Sequence, residues 1–348
     1  MDIIIPCAGF STRFPNMRPK YLLADYLNRR MIELAASPYI GQHKLHAVIL
    51  EQHDQQHDVA QTFKEIFGDS INLVILSEPT SGPAETIYKA LQHLQLPPDS
   101  SFLVHDCDSM FAHDDLTLGN ELFVDSLNDH PTLRTPANKS YVEINDQGIV
   151  VSIMEKKIIS ELFCVGGYQF ANPVGYMTAF EGLRDSRLGE IYISTVIDHL
   201  ISVGEVFTTR KVSGFVDMGT VEDWQRWNDR PTIFCDIDGT LIHNQSAYGK
   251  NSYSNDPVVL KNNVDTLLAA QARGCQIIFT TSRSYKWIDV TMKMLDNLGF
   301  NKDYRLLMDL HHARRILIND YAPTNPYPSA VAINIKRDDD DLKQMLKF

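Results

Sequence analysis

Two pairs of carboxylates stand where apolar runs of this 348-residue sequence end. Asp106 and Asp108 follow one run, and Asp236 and Asp238 follow another. Open α/β sheets bind ligands at the carboxyl ends of their strands, so both pairs are candidate site residues. Carboxylates of this kind can serve acid–base, nucleophilic or metal chemistry.

A phosphate-binding signal follows the first apolar run, Ile3–Ile5. It consists of the glycine-containing segment 9–13, which ends in Arg13, and of Lys20 a little further on. A strand-to-helix turn with glycine exposes backbone N–H groups that bind phosphate oxygens. The guanidinium of Arg13 suits a polyphosphate, and Lys20 adds a point charge. The pattern is neither a Walker loop nor a dinucleotide-binding GxGxxG turn.

The elements that position these residues alternate between short apolar runs and helical patterns, which is typical of a mostly parallel sheet. The segment 141–153, around Asn145-Asp146, predicts an antiparallel hairpin. Strands are expected at Ile3–Ile5, Ala47–Leu50, Leu73–Leu76 and Phe102–His105, and helices at Thr62–Phe67 and Ala84–Leu94.

A polar, Trp-containing stretch at 222–231 predicts a domain boundary, and the strand–helix alternation starts again after it. We expect one domain over residues 1–228 and a second over 229–348, both α/β and Rossmann-like, the first with a mixed sheet. In the second domain, strands are expected at 232–236, 276–280 and 316–318, with helices at 258–273 and 287–298.

Composition narrows the class of protein. The sequence is 44% hydrophobic and 22% charged, as in globular proteins, and its net charge of −12 argues against general affinity for nucleic acid or anionic membranes. No apolar run approaches the roughly 18 residues of a transmembrane helix. The first apolar stretch follows the acidic Asp2 and already ends at Pro6, so it does not fit a signal peptide. Five cysteines without a CxxC pair predict reduced thiols in a cytoplasmic protein, and those beside apolar runs are expected to be buried. These are Cys7, Cys107, Cys235 and Cys275.

The first 220 residues or so resemble the sugar-phosphate nucleotidyltransferase family, which has a GT-A-like fold. The resemblance rests on several short segments that occur in the family's order. They are Pro6–Lys20, Glu78–Ala84, Val104–Asp108, Glu155-Lys156, Gly166–Tyr168, Glu190–Tyr192 and Val216–Thr220. Of these, Gly166–Tyr168 resembles the family's sugar-contacting turn.

This resemblance implies a role for each matching residue. Asp108 and Asp217 would bind Mg²⁺, with Asp106 as an extra acid, while Arg13 and Lys20 would neutralise a triphosphate. Pro83 stands where many relatives carry threonine, which leaves the base open. The implied nucleotide-binding residues are Ala8, Gly9, Ser11, Thr12, Arg13, Gly82, Pro83 and Ala84, and those for the phosphorylated acceptor are Lys156, Gly167 and Glu190.

Residues 231–348 resemble the haloacid dehalogenase superfamily of phosphatases, through the segments 236–240, 277–283 and 316–320. The resemblance implies that Asp236 is a nucleophile that becomes an aspartyl phosphate. Asp238 would be the general acid and base, and Thr281 would bind the phosphoryl group. Asp236, Asp238 through its carbonyl, and Asp320 would hold Mg²⁺.

The superfamily's third motif, a lysine or arginine, has no clear match. Arg315 is the favoured candidate, with Arg314 and Lys286 as alternatives. The short distance between the first two motifs leaves room for only a small cap, so the site would be open or covered by the other domain.

Together the two resemblances predict a bifunctional enzyme of activated-sugar or capsular polysaccharide biosynthesis. One domain would transfer a nucleotidyl group from a nucleoside triphosphate to a sugar- or polyol-phosphate, and the other would hydrolyse a phosphate monoester. The alternative is an active nucleotidyltransferase with a phosphatase-like domain that only senses a ligand. CTP is favoured because the first domain also resembles capsule-type cytidylyltransferases. UTP and GTP, the acceptor, the order of the steps and homo-oligomerisation stay open.

Overall fold

The computed structural model describes residues 1–131, 133, 136–186, 190–244, 257–320 and 330–346. The chain divides into two compact units, Met1–Gln225 and Arg226–Phe348. This division falls within the polar stretch where the sequence predicts a boundary. None of the described helices is long and apolar enough to cross a membrane.

The first unit alternates strands and helices in its first half and is richer in strands in its second half. Its strands are β1 (Asp2–Pro6), β2 (Lys44–Leu50), β3 (Ile71–Leu76), β4 (Phe102–His105), β5 (Ser109–Ala112), β6 (Asn120–Ser126), β7 (Ser140–Ile144), β8 (Val150–Glu155), β9 (Leu162–Phe170), β10 (Phe207–Lys211) and β11 (Ser213–Asp217). Its helices are α1 (Met31–Ala36), α2 (Glu51–His57), α3 (Val59–Phe67), α4 (Pro83–Leu94), α5 (Pro173–Ser186) and α6 (Ile193–Ser202), and α7 (Val221–Asn228) spans the division between the units.

A mixed sheet forms the centre of the first unit, with strand order β10-β6-β9-β4-β1-β2-β3 among the described residues. Strands β1 to β4 are parallel, whereas β9 runs antiparallel to both β4 and β6. The β7–β8 hairpin joins β9, which confirms the antiparallel excursion predicted around Asn145.

Strand β1 shows why apolar runs become central strands here. Ile3, Ile4 and Ile5 are all fully buried, but they face opposite sides of the sheet. Ile4 belongs to the cluster that includes α4, α5 and α6, while Ile3 and Ile5 belong to the cluster on the other face. A strand covered on both faces needs a continuous apolar run, as this sequence provides.

The second unit is a smaller parallel sheet of order β12-β13-β14 among its described residues. Its core includes Ile237, Leu267, Phe279 and Leu295. The elements are β12 (Thr232–Asp236), α8 (Lys261–Ala272), β13 (Gln276–Thr280), α9 (Ile288–Asn297), β14 (Arg305–Leu307) and α10 (Leu342–Met345).

The strand predicted at Ile316–Ile318 is wrong. These three residues are not in a strand, and their exposed fractions are 71%, 58% and 90%. The place beside β13 is taken by Arg305–Leu307, whose backbone pairs in parallel register with Ile278–Thr280. Residues 245–256, which are part of the stretch between the first two motifs of the second domain, lie outside the described residues.

One buried side chain, Asn263 at the start of α8, holds the second unit's loops together. Its Nδ2 donates to the carbonyls of Thr240 and Asp339, both at 2.8 Å, and its Oδ1 accepts the N–H of Leu342 at 2.9 Å. Asp340 accepts the backbone N–H of Asn263 at 2.8 Å. The acidic run at 338–341 is therefore partly engaged with the start of α8.

We expect Asn263→Ala to lower the free energy of unfolding of the second unit by about 3 kcal/mol, because it leaves buried backbone groups without partners. Urea unfolding followed by circular dichroism measures the shift. The control is Asn262→Ala at the neighbouring exposed side chain, expected to change stability by less than about 0.5 kcal/mol. Equal effects of the two substitutions would contradict this assignment.

Candidate active sites

The segments predicted to bind the nucleotide follow β1 and β3, and the predicted metal-binding Asp108 follows β4; the carboxyl ends of these parallel strands share one edge of the sheet. The loop after β1 leads into a short 3₁₀ helix, Lys20–Leu22, rather than into an α-helix, which corrects the predicted strand-to-helix turn. Within it, Ser11 has a left-handed backbone with φ of 51°, and its Oγ accepts the N–H of Lys20 at 3.0 Å. This bond fixes the start of the Lys20 turn relative to the loop.

Strand pairing brings the two predicted metal-binding aspartates together. Strand β11 runs antiparallel to β5 with Asp217 opposite Ser109, and the N–H of Met218 donates to the carbonyl of Asp108 at 2.8 Å. A Cβ atom on Gly219 would lie 3.1 Å from Oδ2 of Asp108 and 3.1 Å from Oδ1 of Asp217. Both carboxylates therefore face the same small space beside Gly219.

Each of these carboxylates has a lysine partner. The ammonium of Lys20 forms a hydrogen-bonded ion pair with Asp108, and Nζ of Lys139 lies 2.6 Å from Oδ2 of Asp217. The NH2 group of Arg13 lies 3.9 Å from Oδ2 of Asp108. Burial by itself would raise the pKa of Asp108, but the charges of Lys20 and Arg13 prevail and hold that pKa well below its usual range.

Asp106 has the opposite electrostatic environment. Burial, together with the negative charge of Asp108, raises the pKa of Asp106 to about 7. Its carboxyl packs against Gly166, where a Cβ would lie 2.8 Å from Oδ2 of Asp106. Gly166 and Gly167 lie inside β9 rather than in the expected turn, and a Cβ on Gly167 would lie 2.8 Å from Phe111. Packing alone therefore requires glycine at 167.

Lys156 directly follows β8 and lies beside Tyr192, which belongs to the matching segment Glu190–Tyr192 but has no role implied by the resemblance. Its Nζ donates to Oη of Tyr192 at 2.8 Å and lies 4.4 Å from the centroid of that ring. This hydrogen bond is the main cause of the raised pKa of Lys156. Glu155 accepts hydroxyl hydrogen bonds from Ser140 at 2.5 Å and Ser194 at 2.7 Å, so it ties β7 to α6 and fixes the chain before Lys156.

The second predicted loop becomes the start of α4. Gly82 is the residue before the helix, Pro83 occupies its first turn, and Ala84 is fully buried. Proline is favourable there because the first helical N–H groups have no partner within the helix. A Cβ on Gly82 would lie 2.8 Å from Cγ of Glu190, so this predicted acceptor residue lies against the nucleotide loop.

In the second unit, Asp236 ends β12 and Asp238 follows it, opposite Arg283. Nε of Arg283 donates to Oδ2 of Asp238 at 2.8 Å, and its NH2 group donates to Oδ1 at 2.7 Å. The Arg283 side chain is only 2% exposed, and that of Asp238 18%. Oγ1 of Thr281 lies 3.5 Å from Oδ2 of Asp238, as expected of a residue at the same edge.

Arg315, Arg314 and Lys286 are the predicted candidates for the third motif. Burial and the charge of Asp238 raise the pKa of Asp236, and the charge of Arg315 opposes this shift. The guanidinium of Arg315 donates to the carbonyls of His311 at 2.7 Å and Ala313 at 2.9 Å, and the choice among the three candidates stays a prediction. Asp320 is exposed and follows residues 316–318, which are not in a strand, so its place in the site stays a prediction.

Lys139, Tyr192 and Arg283 are the functional candidates that sequence reasoning missed. Arg283 is the last residue of the matching segment 277–283, in which the resemblance implied a role only for Thr281. Tyr192 lies two residues after Glu190. Lys139 carries no local signal, because only the fold brings it to Asp217.

The first site fits Mg²⁺. Among the described residues no three His, Cys, Asp or Glu side chains are grouped to hold a metal ion. Asp108 and Asp217 nevertheless supply two carboxylates in one space, and Mg²⁺ is commonly bound by one or two carboxylates together with substrate phosphates. In the second site, Asp236 offers a carboxylate of the same kind.

Each unit of the chain is similar to a different group of known proteins. Residues 233–302 match the family model of haloacid dehalogenase-like hydrolases. A nucleoside-diphosphate-sugar pyrophosphorylase from Vibrio cholerae RC9 matches 65% of this chain and 98% of its own, with a TM-score of 0.56 and 20% identity. The first unit has a nucleotidyltransferase fold.

Further solved structures agree with this fold. The inositol-1-phosphate CTP transferase from T. maritima matches 65% of this chain and 94% of its own, with a TM-score of 0.51 and 15% identity. A UDP-glucose pyrophosphorylase complexed with UDP-glucose matches 66% and 97%, with a TM-score of 0.50 and 15% identity. No curated protein matches the sequence. Both resemblances drawn from the motifs are confirmed.

The raised pKa of Asp106 predicts a pH-dependent stability of the first unit. In the unfolded chain this carboxyl ionises near pH 4, but in the fold it keeps its proton to about pH 7. Its contribution to stability is therefore full below pH 4 and is lost as the pH rises to 7 and above. In EDTA, we expect Asp106→Asn to melt at a higher temperature than the wild type at pH 8, and the difference to shrink at pH 5. Asp99→Asn, at an exposed acid, is the control and should follow the wild-type profile.

The Arg283–Asp238 pair predicts a strong energetic coupling. Arg283→Met leaves a poorly solvated carboxylate unpaired, so we expect a loss of about 3 kcal/mol in the free energy of unfolding. Adding Asp238→Asn to Arg283→Met should restore a large part of that loss. Chemical denaturation of both single variants and the double variant measures the coupling. Additive effects would show that the pair contributes no interaction energy.

Proposed function

We propose that this chain is a bifunctional enzyme. Its first unit transfers a nucleotidyl group from a nucleoside triphosphate to a sugar- or polyol-phosphate, releasing pyrophosphate. Its second unit hydrolyses a phosphate monoester of a pathway intermediate. The observation that carries the proposal is the convergence of Asp108 and Asp217 beside the cations Lys20 and Arg13, at the edge that the loops after β1 and β3 also reach.

The first reaction needs positioning and charge rather than a protein nucleophile. A phosphate oxygen of the acceptor attacks the α-phosphorus, and the bond between that phosphorus and the β-phosphate oxygen breaks. Arg13 and Lys20 neutralise the triphosphate and the leaving pyrophosphate, and Lys156 binds the acceptor's phosphate. Asp108 and Asp217 would hold Mg²⁺, which would supply further charge stabilisation.

The second reaction uses the carboxylate of Asp236 as the nucleophile. Its oxygen bonds to phosphorus while the ester P–O bond breaks, and Asp238 protonates the departing oxygen. Asp238 then takes a proton from water, which attacks the aspartyl phosphate and releases phosphate. Thr281 and Arg315 bind the phosphoryl oxygens. Mg²⁺ held by Asp236, the carbonyl of Asp238 and Asp320 is proposed here as well.

One observation favours a second candidate, in which the phosphatase-like unit only senses a ligand. Both carboxylate oxygens of Asp238 accept hydrogen bonds from Arg283, so the oxygen that would deliver a proton to a leaving group is already engaged within the protein. The two candidates differ in whether Asp236 is needed for phosphate release.

The pathway and the base are proposed on the resemblance alone. We propose CTP as the nucleotide and an activated sugar or polyol for a capsular polysaccharide as the product, made in the cytoplasm. The family resemblance to capsule-type cytidylyltransferases supports this choice.

³¹P NMR of the full chain with Mg²⁺, each nucleoside triphosphate and a panel of sugar and polyol phosphates tests the proposal. We expect a diphosphate-diester signal that Asp108→Asn abolishes, and phosphate release that Asp236→Asn abolishes. Asp129→Asn and Asp265→Asn, at exposed ion-paired acids, are the controls and should keep both activities. Diester formation with no phosphate release in any sample would favour the sensing unit, and absence of the diester with every pair would overturn the transferase.

A further inference from the structure

Lys139 is the cation of the first site that no sequence motif includes. It lies between a 3₁₀ turn, Pro136–Asn138, and β7, with a side chain only 17% exposed. Its Nζ is 2.6 Å from Oδ2 of Asp217 and 5.5 Å from the centroid of the Phe215 ring. Its carbonyl accepts the N–H of Lys156 at 3.0 Å, so one residue contacts both the carboxylate side and the acceptor side of the site.

The position of this ammonium conflicts with a divalent cation on the same carboxylate. Oδ2 of Asp217 is already occupied by Lys139, and a cation engaging Asp217 would displace or weaken that contact. A poorly solvated ammonium that loses its carboxylate needs another anion, since an unpaired charge there is unfavourable. Lysine is suited to such an exchange, because its flexible stem carries three rotatable donors.

The charge of Lys139 reaches beyond Asp217. It also acts to lower the pKa of Asp106 and of Asp108, so the Lys139 ammonium contributes to the electrostatic field around Asp106, Asp108 and Asp217. An anionic substrate oxygen that approached these carboxylates together with a cation would enter the same field. Phosphate oxygens are the anions that the proposed reaction brings there.

We propose that Lys139 is a phosphate-binding residue of the first site. In the free protein it neutralises Asp217, and in the loaded site its ammonium moves to an anionic oxygen of the bound polyphosphate while Asp217 engages the divalent cation. This inference rests on the proposed nucleotidyl transfer. A purely structural ion pair would instead keep Lys139 on Asp217 throughout.

Lys139→Met separates the two roles, because it removes the charge and keeps most of the side-chain length. Mn²⁺ binding to the full chain is followed by EPR, with and without inorganic pyrophosphate. We expect Mn²⁺ alone to bind several-fold more tightly to the variant, since a competing cation is gone. Pyrophosphate affinity at saturating Mn²⁺ should fall about tenfold, the effect of losing one charge-assisted hydrogen bond.

Lys211→Met and Lys139→Arg are the controls for the loss of charge at position 139. Lys211→Met removes a lysine from an exposed ion pair with Asp129, at 2.8 Å, and should bind both ligands as the wild type does. Lys139→Arg keeps a cation and should retain pyrophosphate affinity to within a few-fold. If Lys139→Met does not fold, Lys139→Gln removes the charge and keeps a donor for Asp217.

Two results would overturn the inference: unchanged pyrophosphate affinity in the charge-removing variant, or weaker binding of Mn²⁺ alone. Each would leave Lys139 as a structural partner of Asp217. Failure of the proposed function has a separate signature, namely no pyrophosphate release by the wild type from any triphosphate and acceptor pair. The Mn²⁺ and pyrophosphate titrations report on Lys139 in either case.

Discussion

The pairing of β5 with β11 sets two carboxylates, Asp108 and Asp217, against one small space, and this proximity is the constraint on which the first site depends. Two like charges in a half-buried position repel each other strongly unless cations compensate them. Lys20 and Lys139 provide that compensation from separate loops, and Arg13 adds to it. The loop after β1 and the segment before β7 therefore have to converge on this edge of the sheet.

The sequence predicted those parts of the fold that rest on local patterns. The run Ile3–Ile5 indicates a strand buried on both faces, and Asp108 stands out because it follows such a strand. Lys139 could not be found in this way, because its partner Asp217 is distant along the chain and they meet only through strand pairing. The two hydrogen bonds from Arg283 to Asp238 likewise depend on the register of β12 with β13, which brings the ends of these strands together.

The wrong strand at Ile316–Ile318 shows the limit of apolar runs as a signal. A strand requires a neighbour to receive its backbone hydrogen bonds, and β13 pairs instead with Arg305–Leu307, a segment that begins with a charged residue. Composition alone cannot distinguish an apolar run that is buried from one that stays exposed. Gly167 is a related case. The motif resembles a sugar-contacting turn, but in the structure a side chain at this position would collide with Phe111, so packing already requires glycine.

The two units secure their carboxylates in different ways, and the difference bears on function. The planar guanidinium of Arg283 donates one hydrogen bond to each carboxylate oxygen of Asp238. This bidentate geometry fixes the orientation of the carboxylate and is lost only if both bonds break. Lys20 and Lys139 each contact one oxygen through a single ammonium, a contact that another ligand can replace stepwise. Under the proposed transfer, the first site can therefore exchange protein charges for substrate charges, whereas Arg283 holds Asp238 in one orientation beside Asp236. A substrate that uses the second site must work with Asp238 in that fixed orientation.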